Sequence, residues 1–210
     1  MSSFKGWPPA AFDWFEGLLA DNSKAYFTAH RQTYEEAVKG PLLALLDELE
    51  SEFGPGKMFR PNRDVRYSAD KSPYKTNAAA VAPGDMHQPG FWVEVSADGL
   101  AAGAGHHGAD RSQVDRFREA LADDRSGTEL EQIVADLEAA GLQIHGETLK
   151  TAPRGYPRDH PRIRLLRHTD LIAVRRQPVG RVAQSRKAAG WVRETWRTCD
   201  PLVAWLRAHL

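Results

Sequence analysis

A single cysteine, Cys199, leaves the 210-residue chain unable to close an internal disulfide. One thiol without a partner fits a reducing compartment, so the expected location is cytoplasmic. Long apolar runs are also missing. In the amino-terminal half the longest is Leu42 to Leu46, far short of the ~20 residues a membrane span needs, and no membrane partner is expected. The first fifteen residues set Asp13 among aromatics and hold no Ala-x-Ala cleavage pattern, so no signal peptide is expected. A charge surplus is missing as well: 28 Lys and Arg balance 28 Asp and Glu. That neutrality argues against a nonspecific nucleic-acid binder. There is no Gly-x-Ser-x-Gly elbow and no His-Glu-x-x-His, and Gly103-x-Gly105-His106-His107-Gly108 fits neither a Walker loop nor a dinucleotide fingerprint. What remains, 41% hydrophobic and 27% charged residues, is the composition of a soluble globular protein. The length suits one domain with an ordinary core.

The neutrality hides a strong asymmetry. Residues 1–58 carry a net −4, residues 59–75 a net +3, residues 76–148 a net −9 and residues 149–210 a net +10. Such a chain either turns its basic part towards an anionic partner or packs its acidic and basic parts against each other. The cations are 20 Arg and 8 Lys, and Arg suits bidentate contacts to carboxylate or phosphate.

Hydrophobic spacing divides the chain into four stretches of a single α+β domain, residues 1–210. Residues 1–58 read as a helical layer: Phe12, Phe15 and Leu18 recur at helical spacing, Asp21-Asn22-Ser23 offers caps, and Gly40-Pro41 punctuates before the apolar stripe from Leu42 to Phe53. Residues 59–106 are strand-rich. Thr76 to Val81, Phe91 to Val95 and Leu100 to Gly105 read as strands, with Asp98-Gly99 as a hairpin turn. Residues 107–142 read as two helices opened by the capping boxes Asp110-x-x-Gln113 and Thr128-x-x-Glu131. Residues 143–210 hold strands over Gln143 to Leu149 and Leu171 to Val174, a loop, and terminal helices interrupted at Asp200-Pro201. The fold expected is helices at both ends around a central, mostly antiparallel sheet.

Two polar clusters stand out from this framework. The first runs from Arg60 to Lys75 and gathers Arg60, Arg63, Asp64, Arg66, Tyr67, Asp70, Lys71, Tyr74 and Lys75 in sixteen residues. Were Arg60 to Tyr67 extended, Arg60, Asp64 and Arg66 would share one face and Arg63 the other. Such a segment holds an anion with its arginines while the carboxylates fix their rotamers. The competing reading is an ion-pair network tying the helices to the sheet. Flanking cations lead us to expect Asp64 ion-paired and buried. The second cluster, in the loop before a short helix near Ile163 to Leu166, contributes Arg154, Tyr156, Asp159 and His160. His160 is either a proton-transfer group or, with Asp159 before Pro161, a helix cap. The two clusters are expected to lie close together in space.

The pattern Arg60-x-x-Arg63-Asp64-x-Arg66-Tyr67, followed by Asp70-Lys71-Ser72-Pro73-Tyr74-Lys75, resembles the signature of the domain-of-unknown-function 2461 family of bacteria and fungi. The likeness extends over nearly the whole chain, including Gly6 to Leu18, Asn22 to Tyr34 and Pro153 to Pro161. Tyr67 stands where that family usually has Phe. The resemblance implies a stand-alone protein with no established reaction, and a signature of Arg, Asp, Lys and Tyr implies a site.

The functional expectation is a small-anion-binding protein or enzyme. Arg60, Arg63, Arg66, Tyr67, Asp70, Tyr74, Lys75, Arg154, Tyr156 and Asp159 would hold a phosphate or carboxylate. Asp64, Lys71 and His160 would act in catalysis. No cofactor and no metal are expected: His87, Glu94, His106 and His107 are ligand types, but their spacing matches no known site. Cys199 lacks the setting of a nucleophile. The alternative is an interaction module that binds nucleic acid or an acidic protein through Arg162, Arg164, Arg167, Arg175, Arg176, Arg181, Arg186 and Lys187. Nucleic acid is disfavoured, and the oligomeric state is open.

Overall fold

The computed structural model describes residues 3–66, 69–85 and 88–210; Tyr67 and His87 lie outside them. Helix α1 spans Pro9–Ala20, α2 Lys24–Ala29 and α3 Arg31–Thr33. A π-helical turn at Tyr34–Lys39 runs on into α4, Gly40–Phe53. Strands follow: β1 Lys57–Met58, β2 Asn77–Ala82, β3 Gly90–Ser96 and β4 Gly99–His106. Then come α5 Arg111–Ala122, α6 Asp124–Ala139, β5 Gln143–His145, α7 Ile163–Leu166, β6 Leu171–Pro178 and α8 Lys187–His209. The strands form one antiparallel sheet in the order β1-β2-β3-β4-β6-β5, in an α+β chain with helices at both ends. No helix among the described residues is long and apolar enough to cross a membrane.

The chain clusters into two compact units. The first comprises residues 1–84, 92–102 and 176–194; the second comprises residues 85–91, 103–175 and 195–210.

In the first unit the aromatic-rich amino terminus builds the core. Phe12, Trp14, Phe15 and Leu18 are buried on α1. Trp14 meets Phe15 and Phe27 edge-on at 5.0 and 5.6 Å and lies tilted on Tyr34 at 5.1 Å. Full burial of side chains this size stabilises by roughly 1.5–3 kcal/mol each. Tyr34 is held so deeply that burial, with Glu35 beside it, pushes its phenol up to about 12. Gly40-Pro41 does not break the helix as its composition suggests. The π turn lets Gly40 N–H bond to Glu35 O, five residues back. Pro41 then falls in the first turn of α4, where a missing N–H costs little.

In the second unit, α5 opens with the expected capping box at Asp110 and Gln113. Helix α6 starts earlier than expected. Asp123 accepts from Arg125 N–H and Ser126 N–H, so Thr128 lies inside the helix rather than capping it. Strand β4 is buried along nearly its whole length. Its small residues are explained by its neighbour: a Cβ at Gly103 would strike the Ala173 carbonyl of β6. The close approach is therefore by backbone rather than by a ligand. β5 is shorter than the Gln143 to Leu149 expectation because Gly146, at φ +135°, breaks the ladder; pairing resumes at a single Thr148–His168 bridge. Helix α8 continues through Pro201, contrary to the expected interruption. Cys199, Leu202, Val203, Trp205 and Leu206 are buried around the proline, and this packing outweighs the lost hydrogen bond.

Candidate functional site

The first cluster forms the outer part of a long, irregular hairpin in the first unit. Lys57 and Met58 pair with Val81 and Ala80, Phe59 N–H donates to Ala79 O, and Asn62 bridges Tyr74. Pro61 and Pro73 can donate nothing to the ladder. Their carbonyls instead accept from Lys75 N–H and Arg63 N–H, both at 2.9 Å. Around the Asn62–Tyr74 bridge the segment stays extended, and exposure alternates as expected: Arg60, Asp64 and Arg66 are exposed while Arg63 is half-buried.

The base of the hairpin is fixed by Asn22. Its side-chain amide donates to Tyr74 O at 3.0 Å, and its carbonyl accepts Tyr74 N–H at 3.1 Å. Tyr74 is buried, with its ring stacked on Phe27 at 4.2 Å. It anchors the segment rather than presenting a ligand group. Arg63 reads the same neighbourhood: Nη1 meets Asp70 at 2.5 Å, Nη2 donates to Tyr74 O at 3.3 Å, and its buried Nε has no acceptor. Asp70 accepts Ser72 N–H at 2.9 Å, and hydrogen bonds from Ser72, then the Arg63 charge, hold its carboxyl below its ordinary range.

Asp64 departs from expectation. It is ion-paired, with Arg66 donating through Nε at 3.0 Å and Nη2 at 2.7 Å. Its side chain is nonetheless 47% exposed, not buried, because both partners come from the same exposed turn. Those hydrogen bonds hold its carboxyl down at about 2, so at neutral pH it is a weak base suited to fixing Arg66. Lys71 donates to Val65 O at 2.8 Å. Arg60 and Lys75 form no ion pair with any described residue. Lys75 lies 5.2 Å from the Phe59 ring centroid. Burial first, then the charges of Arg60 and Arg63, pull its ammonium below the ordinary lysine value.

The second cluster belongs to the second unit. Arg154 lines an open cleft of about 890 Å³ there. Tyr156 and His160 meet edge-on at 6.3 Å. His160 accepts Arg162 N–H on Nδ1 at 3.0 Å. Its ring thus serves the entry to α7, although the cap residue itself is Arg162 rather than Asp159 or His160. Asp159 is exposed. The two clusters thus fall in different units.

Much of the basic carboxyl third is committed internally. Arg162, 5% exposed, donates to Leu121 O at 2.7 Å and meets Asp124 at 2.7 Å. Arg164 pairs with Glu138, Arg167 donates to Leu149 O, and Arg175 donates to Ala140 O. Arg181, Arg186 and Lys187 remain exposed.

A family described as a conserved hypothetical protein, DUF2461, matches residues 10–205. The chain belongs to the DUF2461 family. No curated protein and no solved structure matches it. In this DUF2461 chain, sequence reasoning overlooked Asp170, and it met His107 only as one of two adjacent histidines. His107 Nδ1 lies 2.9 Å from Asp170 Oδ2 in the cleft that Arg154 lines. With 62 residues between them, no local spacing signals the pair. Among the described residues no group of three His, Cys, Asp or Glu could hold a metal ion.

Proposed function

We propose that this DUF2461 protein binds a small phosphate-bearing ligand on the hairpin of its first unit, through Arg60, Arg63 and Lys75. The observation that carries this reading is the grouping of Arg60, Arg63 and Lys75 beside only two carboxylates, in which the Lys75 pKa is lowered first by burial and then by the charges of Arg60 and Arg63. Like charges gathered without enough carboxylates cost free energy, and an anion seated among them removes that cost. Residues 59–75 hold five cations against two carboxylates. Asp70 is taken by Arg63 and Asp64 by Arg66. The surplus matches a dianion better than a monoanion, and guanidinium forks match phosphate oxygens bidentately. The weak basicity of Asp64 favours binding over proton transfer at this hairpin.

Calorimetric titration with inorganic phosphate tests the reading. Saturable binding is expected, weakened at least tenfold in Arg60→Ala and in Lys75→Ala. No binding to the wild type, or wild-type affinity in both variants, would overturn it. The interaction-module reading has less support, because Arg162, Arg164, Arg167 and Arg175 already serve intramolecular partners.

A further inference from the structure

The cleft of the second unit holds an oriented His–Asp pair that the phosphate reading does not use. Asp170 is 7% exposed, and both its carboxylate oxygens are employed: Oδ2 at 2.9 Å from His107 Nδ1, and Oδ1 accepting Gly108 N–H at 3.0 Å. A carboxylate can only accept, so Nδ1 of His107 carries the proton, and in the neutral form of the ring the lone pair lies on Nε2. The His107 side chain is 69% exposed. Buried Asp, fixed tautomer and accessible Nε2 make the arrangement by which proteins orient a histidine for proton transfer. The segment behind it is well pinned. Thr169 donates to Glu147 O through both its amide and its hydroxyl, at 2.8 and 3.2 Å, and Leu149 N–H donates to Arg167 O.

The cleft also offers anion-binding groups. Arg111, Arg118 and Arg154 line it. Arg118 donates through Nε to Leu166 O at 3.2 Å, while its buried Nη2 has no acceptor. Three guanidiniums share the lining with three carboxylates, Asp115, Glu147 and Asp170. Asp170 is already employed by His107 and Gly108, whereas the Arg118 Nη2 donor is unmatched, so an added carboxylate suits the arginine side of the cleft. Val114 and Leu149 supply an apolar wall. We infer that this cleft is a second, acid–base ligand site that takes a small carboxylic acid with an apolar body, its carboxylate on Arg118 and Arg154 and a transferable proton facing His107 Nε2. The proton passes between the ligand's heteroatom and Nε2, and Asp170 stabilises the imidazolium that results.

Benzoate is the probe, followed by NMR of protein labelled at histidine ring nitrogens. Without benzoate, His107 is expected as the Nδ1–H tautomer. Added benzoate should shift the His107 ring and the Gly108 amide saturably, with affinity reduced at least tenfold in Arg154→Ala and in Arg118→Lys. Arg154 is exposed, so its variant tests binding without endangering the fold. His107→Gln should keep benzoate binding within a fewfold, because the arginines hold the carboxylate. An Nε2–H tautomer, no saturable shift, or unchanged affinity in both arginine variants would overturn the inference. None of these readouts depends on the hairpin, so failure here and failure of phosphate binding at Arg60 and Lys75 are distinguishable.

Discussion

Arg162 shows what a single side chain can be asked to do. Its guanidinium is drawn in beneath the α5–α6 junction, where it donates to Leu121 O and Asp123 O and reaches Asp124. The same packing explains Gly127, where a Cβ would strike the Leu121 carbonyl and the Arg162 side chain. Truncating Arg162 would take its donor from the Leu121 carbonyl and empty a buried space, while Asp123 O would keep its bond from Gly127 N–H. Arg162→Ala should therefore lower stability by about 3 kcal/mol in urea unfolding. Arg162→Lys should recover little, since an ammonium cannot span the same acceptors; full recovery would contradict the account. Asp64 is the contrasting case. Its carboxyl is depressed from 3.8 to about 2 by Arg66, so its contribution is present above the unfolded value and is lost as pH falls through the folded one. Because the pair is exposed, screening keeps that contribution small. Asp64→Ala should leave the thermal midpoint at neutral pH nearly unchanged, with any difference from wild type fading between pH 4 and 2. A large loss at neutral pH would show that the carboxylate is buried after all.

At the scale of elements, periodicity was a reliable guide to type and a poor one to breaks. The apolar spacing on α1, α4, α5 and α6 predicts helices that the structure contains. Gly40-Pro41 and Asp200-Pro201 look like stops, yet a π turn absorbs one and buried packing overrides the other. Neither compensation is local enough to read from sequence. Asn22 likewise reads as a helix cap; Ser23 does that work, and Asn22 clamps Tyr74 fifty-two residues away. The hairpin cations were legible because they lie within sixteen residues, whereas His107 and Asp170 meet only through tertiary structure. Strand β4 supplies an element-scale test. Gly103→Ala would place a methyl against the Ala173 carbonyl, and backbone cannot swing aside as a flexible side chain can. Overpacking of this kind costs roughly 1–3 kcal/mol or more. A thermal melt should show the loss, and an unchanged melt would mean that β4 and β6 separate without penalty.

For the whole molecule, the segmental charges follow from how the chain spends its arginines. The +10 of residues 149–210 is met by the −9 of residues 76–148, and Arg162–Asp124 and Arg164–Glu138 are visible instances of that neutralisation. Nonspecific nucleic-acid affinity scales with the phosphates that free cations can neutralise, and it falls steeply with salt. A salt titration with a random oligonucleotide should therefore show binding only at low ionic strength. Sub-micromolar affinity persisting near 0.15 M salt would favour the interaction-module reading instead. On the hairpin, the Lys75 pKa is lowered first by burial and then by the charges of Arg60 and Arg63. Its folded value lies below that of a free lysine, so a bound anion, which favours the charged form, should raise it. The most direct measurement is an NMR pH titration of the Lys75 side chain with and without inorganic phosphate. The account predicts a depressed midpoint in the free protein that rises when phosphate is added, with the rise lost in Arg60→Ala. A Lys75 midpoint at the ordinary lysine value, or one that phosphate leaves unmoved, would contradict it.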